Sequence, residues 1–393
     1  MKKTLTLLLA MIMILNMAAC GAKKAPAAAE TPAVQPSSDD TSVSATDSEP
    51  EATPEATPET NPETRIVTDW TGREVEIPFT VDSIVCVAVS TLRYTTYLQA
   101  LDLLVGVEEH ELKPAVSKPF GYVNQDAFQG LPLTGNNGET YDEEIIAANP
   151  DVLIAYYDAE AADDLQERTG IPVLTIPHLE GILDEEVFFT LEFLGDIYGR
   201  QERAAELISY LKGIQEDIAT RIATVPEEDR PSVYVGAVSY RGSHGFEGTE
   251  AGYGPLAELG DLNIAADSGE ALPFNIDVED VLAKDPDYIF LEIGNMNLVN
   301  EQYALDPDFY NSFTAVQEGR VYSQVSFRYN ATNTEMALAN MYYLASVIYP
   351  EAFADVDPIA KTNEIVEMFL GVENYYDTLK EAGMEFKQLT LGE

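Results

Sequence analysis

The chain has 393 residues, 46% of them hydrophobic, enough to bury the cores of two ordinary domains. Against 22 Lys and Arg stand 68 Asp and Glu, a formal charge of -46. Phosphate recognition needs clustered cations, so nucleic-acid binding is excluded, and the acidity reads as a solvated surface.

At the N-terminus Lys2 and Lys3 precede an apolar stretch, residues 4–15, that is too short to span a bilayer. It ends at Met17-Ala18-Ala19-Cys20-Gly21, and small residues before a cysteine at such a boundary resemble a bacterial lipobox. Residues 1–20 are then a lipoprotein signal peptide. Cys20 is the acylated mature N-terminus, and lipid anchors the protein on the extracytoplasmic face of the bacterial cell membrane. Residues 21–64 are rich in Ala, Pro, Thr and Glu and lack aromatics, so they read as a disordered acidic tether. No later stretch is long and apolar enough for a membrane helix.

The folded body begins near Arg65 with an alternating hairpin over residues 66–78. Strands are expected over 84–89, 104–107, 151–156 and 172–176, and helices over 94–104, 143–148 and 161–169. Cys86, the second of only two cysteines, sits in the first of these strands and reads as a buried, inert thiol. Residues 185–224 keep apolar positions three and four apart and predict one long connecting helix, with Gly195 and Gly199 as points of kinking. Beyond Pro231 the alternation resumes, with strands over 233–238, 288–292 and 320–325 and helices over 278–283 and 334–349. The fold class is α/β: two parallel-sheet lobes, residues 65–184 and 225–393, joined by one long helix, with a ligand cleft between them.

An internal repeat supports this division. Glu143-Glu144-Ile145-Ile146-Ala147-Ala148-Asn149-Pro150-Asp151 is answered by Glu279-Asp280-Val281-Leu282-Ala283-Lys284-Asp285-Pro286-Asp287, each a short helix, a Pro-Asp turn and the start of a strand. Ligands of open α/β sheets lie beyond the carboxyl ends of the strands. That rule selects Arg93 and Tyr94, His178, the group Tyr240, Arg241 and His244, and Arg328 with Tyr329 as ligand-binding candidates. Arginine is the bidentate partner of carboxylate and phosphate, and Tyr and His ligate ferric iron or stack on a flat ring. With His110 the histidines number three, too thin a set for a bare metal site, and none is assigned. No Gly-x-Ser-x-Gly, His-Glu-x-x-His or phosphate-loop motif is present, so no catalytic residue is assigned and the chain does not read as an enzyme.

Thr71-Gly72-Arg73-Glu74-Val75, Leu104-Val105-Gly106-Val107, both Pro-Asp repeats and Leu259-Gly260-Asp261-Leu262-Asn263-Ile264-Ala265 together resemble the iron-complex and cobalamin class of periplasmic-type binding proteins. Ser90-Thr91-Leu92-Arg93-Tyr94 and Tyr240-Arg241-Gly242-Ser243-His244-Gly245 are similar to its haem- and iron-receptor subgroup. The Pro-x-x-Thr-Glu usual after the first strand is absent. The resemblance implies a monomeric substrate-binding lipoprotein of an ABC importer that delivers a ferric siderophore, haem or corrinoid to a permease dimer with its ATPase. It implies no cofactor; any iron or cobalt belongs to the ligand. It also implies that Glu143 and Glu279 dock the lobes onto the permease. Binding of another anion or a metal ion, ligand sensing through a receptor, and extracytoplasmic hydrolysis are the alternatives.

Overall fold

A computed structural model describes residues 63–393 apart from Glu180 and Asn330, all within one compact unit that spans 60–393. The signal peptide, Cys20 and nearly all of the tether lie outside the described residues. The body opens with an antiparallel hairpin of β1 (Thr64–Thr68) and β2 (Glu74–Pro78). Its turn is tied by Asp69, whose Oδ1 accepts from the Thr71 and Arg73 amides. Arg73 bridges Asp69 at 2.9 Å and donates to the Val173 carbonyl at 2.9 Å, pinning the hairpin to the first lobe.

That lobe is built on a six-stranded sheet. Its strands are β3 (Ile84–Val87), β4 (Leu104–Glu108), β5 (Leu133–Asn136), β6 (Glu139–Thr140), β7 (Val152–Ala155) and β8 (Val173–Thr175), in the order β6-β5-β4-β3-β7-β8. All pairs are parallel except β5 with β6. Parallel sheets are covered on both faces, and β3 shows how: Ile84 and Cys86 enter one core cluster while Val85 and Val87 enter another. The second lobe has β9 (Val233–Gly236), a small antiparallel pair β10 (Gly248–Thr249) and β11 (Phe274–Asn275), then β12 (Tyr288–Glu292) and β13 (Val321–Gln324). Its parallel sheet runs β13-β12-β9, and Val233 and Val235 face one cluster while Tyr234 faces another.

The repeat extends beyond the residues that announce it. In the first lobe the Asp151 carboxylate accepts from the Ser83 amide at 2.9 Å, and the Asp151 amide donates to Ser83 Oγ at 3.0 Å. In the second, Asp287 and Ser232 exchange the same two bonds at 2.8 and 3.1 Å. The preceding helices, Asp142–Ala148 and Val278–Lys284, have seven residues each and end on left-handed Asn149 (φ 50) and Asp285 (φ 40).

The single connecting helix expected over 185–224 is corrected by the structure. Two helices, Glu185–Ile197 and Gln201–Ile222, pack against each other. The chain turns through Tyr198, Gly199 and Arg200, with Gly199 at φ +64, a conformation that side-chain-bearing residues disfavour. Arg203, in the first turn of the second helix, donates to the Tyr97 carbonyl at 3.0 Å and to the Met368 carbonyl, tying helix Thr91–Tyr97 to helix Pro358–Leu370. Among the described residues no helix is long and apolar enough to cross a membrane.

Candidate functional site

The first strand of each lobe ends in a turn that holds an alanine at positive φ, Ala88 (66°) after β3 and Ala237 (58°) after β9. Such a conformation persists only where its surroundings enforce it. In both lobes a buried glutamate at the carboxyl edge of the sheet binds this turn. Glu108, from β4, accepts from the Ala88 amide at 2.9 Å and the Gly138 amide at 2.7 Å. Glu292, from β12, accepts from the Ser239 amide and Ser239 Oγ, both at 2.7 Å, while Asn295 donates to the Ala237 carbonyl at 2.8 Å. Burial pushes both carboxyls above the usual carboxylate range. Beside Glu108, His110 Nδ1 accepts from the Asn137 amide at 3.0 Å, which leaves the proton of the neutral ring on Nε2, 3.1 Å from Glu111 Oε1.

The residues selected from sequence fall into separate groups around this frame. Tyr240, Arg241 and His244 share the loop after β9. The Tyr240 and His244 rings stack at 3.9 Å and 1°, the Tyr240 hydroxyl donates to Asn275 Oδ1 at 3.0 Å, and His244 Nε2 lies 2.9 Å from the Tyr240 carbonyl. Arg241 is exposed at φ 48, and among the described residues its side chain makes no hydrogen bond or ion pair. On the first lobe exposed His178 stacks on Tyr156 at 4.6 Å and 16°. Each lobe thus presents one Tyr–His stack beyond its strand ends.

Arg328, in contrast, is committed to the protein. Its guanidinium pairs with buried Glu250, donates to Thr332 Oγ1 at 2.5 Å and lies 5.0 Å from the Phe327 ring. Arg93 and Tyr94 are closed off from solvent at the lobe boundary. Arg93 donates to the Tyr329 carbonyl at 2.9 Å, and the Tyr94 hydroxyl lies 3.3 Å from Thr334 Oγ1. Packing and pairing within the protein account for Arg93 and Arg328, whereas Arg241 has no such partner among the described residues.

Sequence reasoning missed Glu108, Glu292, Glu111 and Lys118. A charged residue closing an apolar strand is the signal that Glu108 and Glu292 carried. Lys118 lies in Ser117-Lys118-Pro119-Phe120, which has no periodicity to mark it. Glu143 and Glu279 are both exposed, each the second residue of its repeat helix. Among the described residues no cluster of three or more His, Cys, Asp or Glu is arranged to hold a metal ion.

Over 326 residues the chain is 22% identical to the molybdate-binding protein MolA of Haemophilus influenzae, covering 78% of this chain and 90% of that one. A shorter match, 26% over 98 residues, joins it to the ABC transporter substrate-binding lipoprotein YvrC of Bacillus subtilis, covering 24% of this chain and 30% of that one. A periplasmic solute-binding protein of Veillonella parvula superposes with a TM-score of 0.62 at 22% identity, over 79% of this chain and 94% of that one. The periplasmic binding protein profile matches residues 87–324, more than half of the chain. With a parallel sheet in each of two lobes, the chain belongs to the periplasmic binding protein family, whose members bind solutes and are not enzymes.

Proposed function

We propose that this protein captures an anion that presents oxygen atoms, and that it delivers this ligand as the substrate-binding component of an ABC importer. Arg241 carries the reading. On a chain with 68 acidic and 22 basic residues, an exposed guanidinium beyond a strand end is kept free of carboxylates. A planar fork of donors in that position suits a carboxylate or a tetrahedral oxyanion. The molybdate bound by the relative MolA is a ligand of this chemistry. A ferric siderophore or haem is the second reading, favoured by the Tyr240–His244 and Tyr156–His178 stacks, which offer flat faces and iron-ligating atoms.

Calorimetry against molybdate, tungstate, ferric chelates, haem and cobalamin tests both readings. Arg241→Ala is expected to weaken binding by about 1.5–3 kcal/mol, the worth of a hydrogen bond to a charged group. Binding confined to a sugar, a peptide or a bare divalent cation would end the proposal. The lipid anchor belongs to the same reading: Cys20→Ala is expected to move the protein from the membrane to the soluble fraction, and a variant that still incorporates lipid label refutes the lipobox.

A further inference from the structure

The loop after β9 fixes one histidine on three sides. The Tyr240 ring lies flat on the His244 ring at 3.9 Å and 1°. The Tyr240 carbonyl stands 2.9 Å from His244 Nε2. On the third side His244 Cβ packs on Gly248, where an added Cβ would meet it at 2.5 Å. A carbonyl only accepts, so Nε2 carries a proton, and in the neutral ring Nδ1 keeps a lone pair. His244 is half-buried, and among the described residues its Nδ1 makes no hydrogen bond or ion pair.

Arg241 stands at the tip of the same loop, where the Tyr240 amide closes on the Gly242 carbonyl at 3.0 Å. Its guanidinium brings one positive charge. A tetrahedral oxyanion such as molybdate brings two negative charges and no proton, and a lone pair that faced it would repel it. A proton on Nδ1 turns that contact into a charge-assisted hydrogen bond and supplies the second positive charge. The other titratable groups around the ring are already engaged. Glu247 accepts from Gln302 Nε2 at 2.6 Å and from the Gly245 amide at 3.3 Å. Glu292, at the end of β12, feels the His244 charge but accepts from the Ser239 amide and hydroxyl. The Tyr240 hydroxyl donates to Asn275 Oδ1 at 3.0 Å.

We infer that His244 Nδ1 faces the captured anion, and that an oxyanion without a proton of its own is bound together with one proton, which passes from solvent to Nδ1. Nε2 keeps its hydrogen on the Tyr240 carbonyl throughout, and no other bond changes. The inference rests on the reading of Arg241 as the partner of an anion; it adds the second charge and makes capture proton-linked.

Calorimetry with molybdate between about pH 7.5 and 8.5, above the ordinary imidazole range, is the test. Uptake of one proton weakens affinity about tenfold per pH unit. The heat of binding to the parent in buffers of different ionisation enthalpy counts that proton directly, without any variant. His244→Gln keeps an amide N–H for the Tyr240 carbonyl but offers no basic nitrogen, so its affinity should be lower than the parent's at the acid end of the range and independent of pH. Arg241→Ala should bind more weakly at every pH with the parent's slope. A parent affinity that is flat in pH, with no proton counted, overturns the inference and leaves the anion reading standing. A slope that survives in His244→Gln puts the proton on Glu247 or Glu292 and overturns it equally. Failure of the parent to bind molybdate or any other oxyanion ends the anion reading itself, and this inference with it.

Discussion

A carboxylate taken out of water loses hydration that only well-aimed donors replace, and Glu292, 3% exposed, accepts from the Ser239 amide, Ser239 Oγ and the Ser326 hydroxyl. Desolvation still outweighs them and raises its pKa. Because the folded value lies above the unfolded one, this group contributes stability that is complete below about pH 4.3, the unfolded glutamate value, and is lost as pH rises through the folded pKa. Glu108 acts with the same sign. Glu292→Gln should therefore flatten the dependence of stability on pH between that acid limit and neutrality, as read from denaturant midpoints at a series of pH values; an unchanged slope would refute the assignment. At this scale the sequence was a partial guide. Arg241 was visible as a basic residue past a strand end. Arg328 looked identical on paper, and only the fold shows Glu250, 78 residues away, meeting it. Long-range pairing leaves no local pattern to read.

Local pattern was enough wherever an element is long or repeated. The alternation of β1 and β2, the apolar runs of β3, β7, β9 and β12, and the two Pro-Asp turns were all legible, because their periodicity is imposed by burial on one or both faces. Residues 113–140 were not. Their helices, Pro119–Val123 and Gln125–Phe128, and strands β5 and β6 have five residues or fewer, too short to show a period. The two linker helices read as one for the opposite reason: apolar spacing continues through Tyr198, and the break is written only in the left-handed Gly199. A Cβ at Gly199 would meet nothing within 4 Å, so Gly199→Ala tests backbone strain alone. It should lower unfolding free energy by about 1 kcal/mol without altering ligand affinity, measured by denaturant titration and calorimetry. A neutral result would mean that the turn can relax to negative φ.

At the scale of the molecule the duplicated helices matter most. Glu143 and Glu279 occupy the same place in two seven-residue helices, exposed, and each helix is followed by a matching Ser–Asp exchange. A permease of two equivalent subunits would meet two equivalent carboxylates, and rim charges of this kind fix register and association rate. Alanine at both positions should leave ligand affinity near that of the parent and abolish uptake; surviving uptake would place docking elsewhere. Acids in a first turn also favour the helix dipole, so a small loss of stability accompanies either result.

The closing of the first lobe by the last helices has a consequence for the order in which the chain can fold. The Tyr97 ring meets Phe369 at 4.7 Å, and the Tyr375 hydroxyl donates to the Val116 carbonyl across 259 residues of sequence. Helices Pro358–Leu370 and Tyr375–Glu381 therefore complete a core whose other half is made far earlier in synthesis. Until they arrive, the first lobe has its strands but an uncovered aromatic wall, and loop closure over that separation is slow. The protein is consequently most exposed to aggregation and proteolysis when nearly all of it has been made, although the lobe at risk is the one made first.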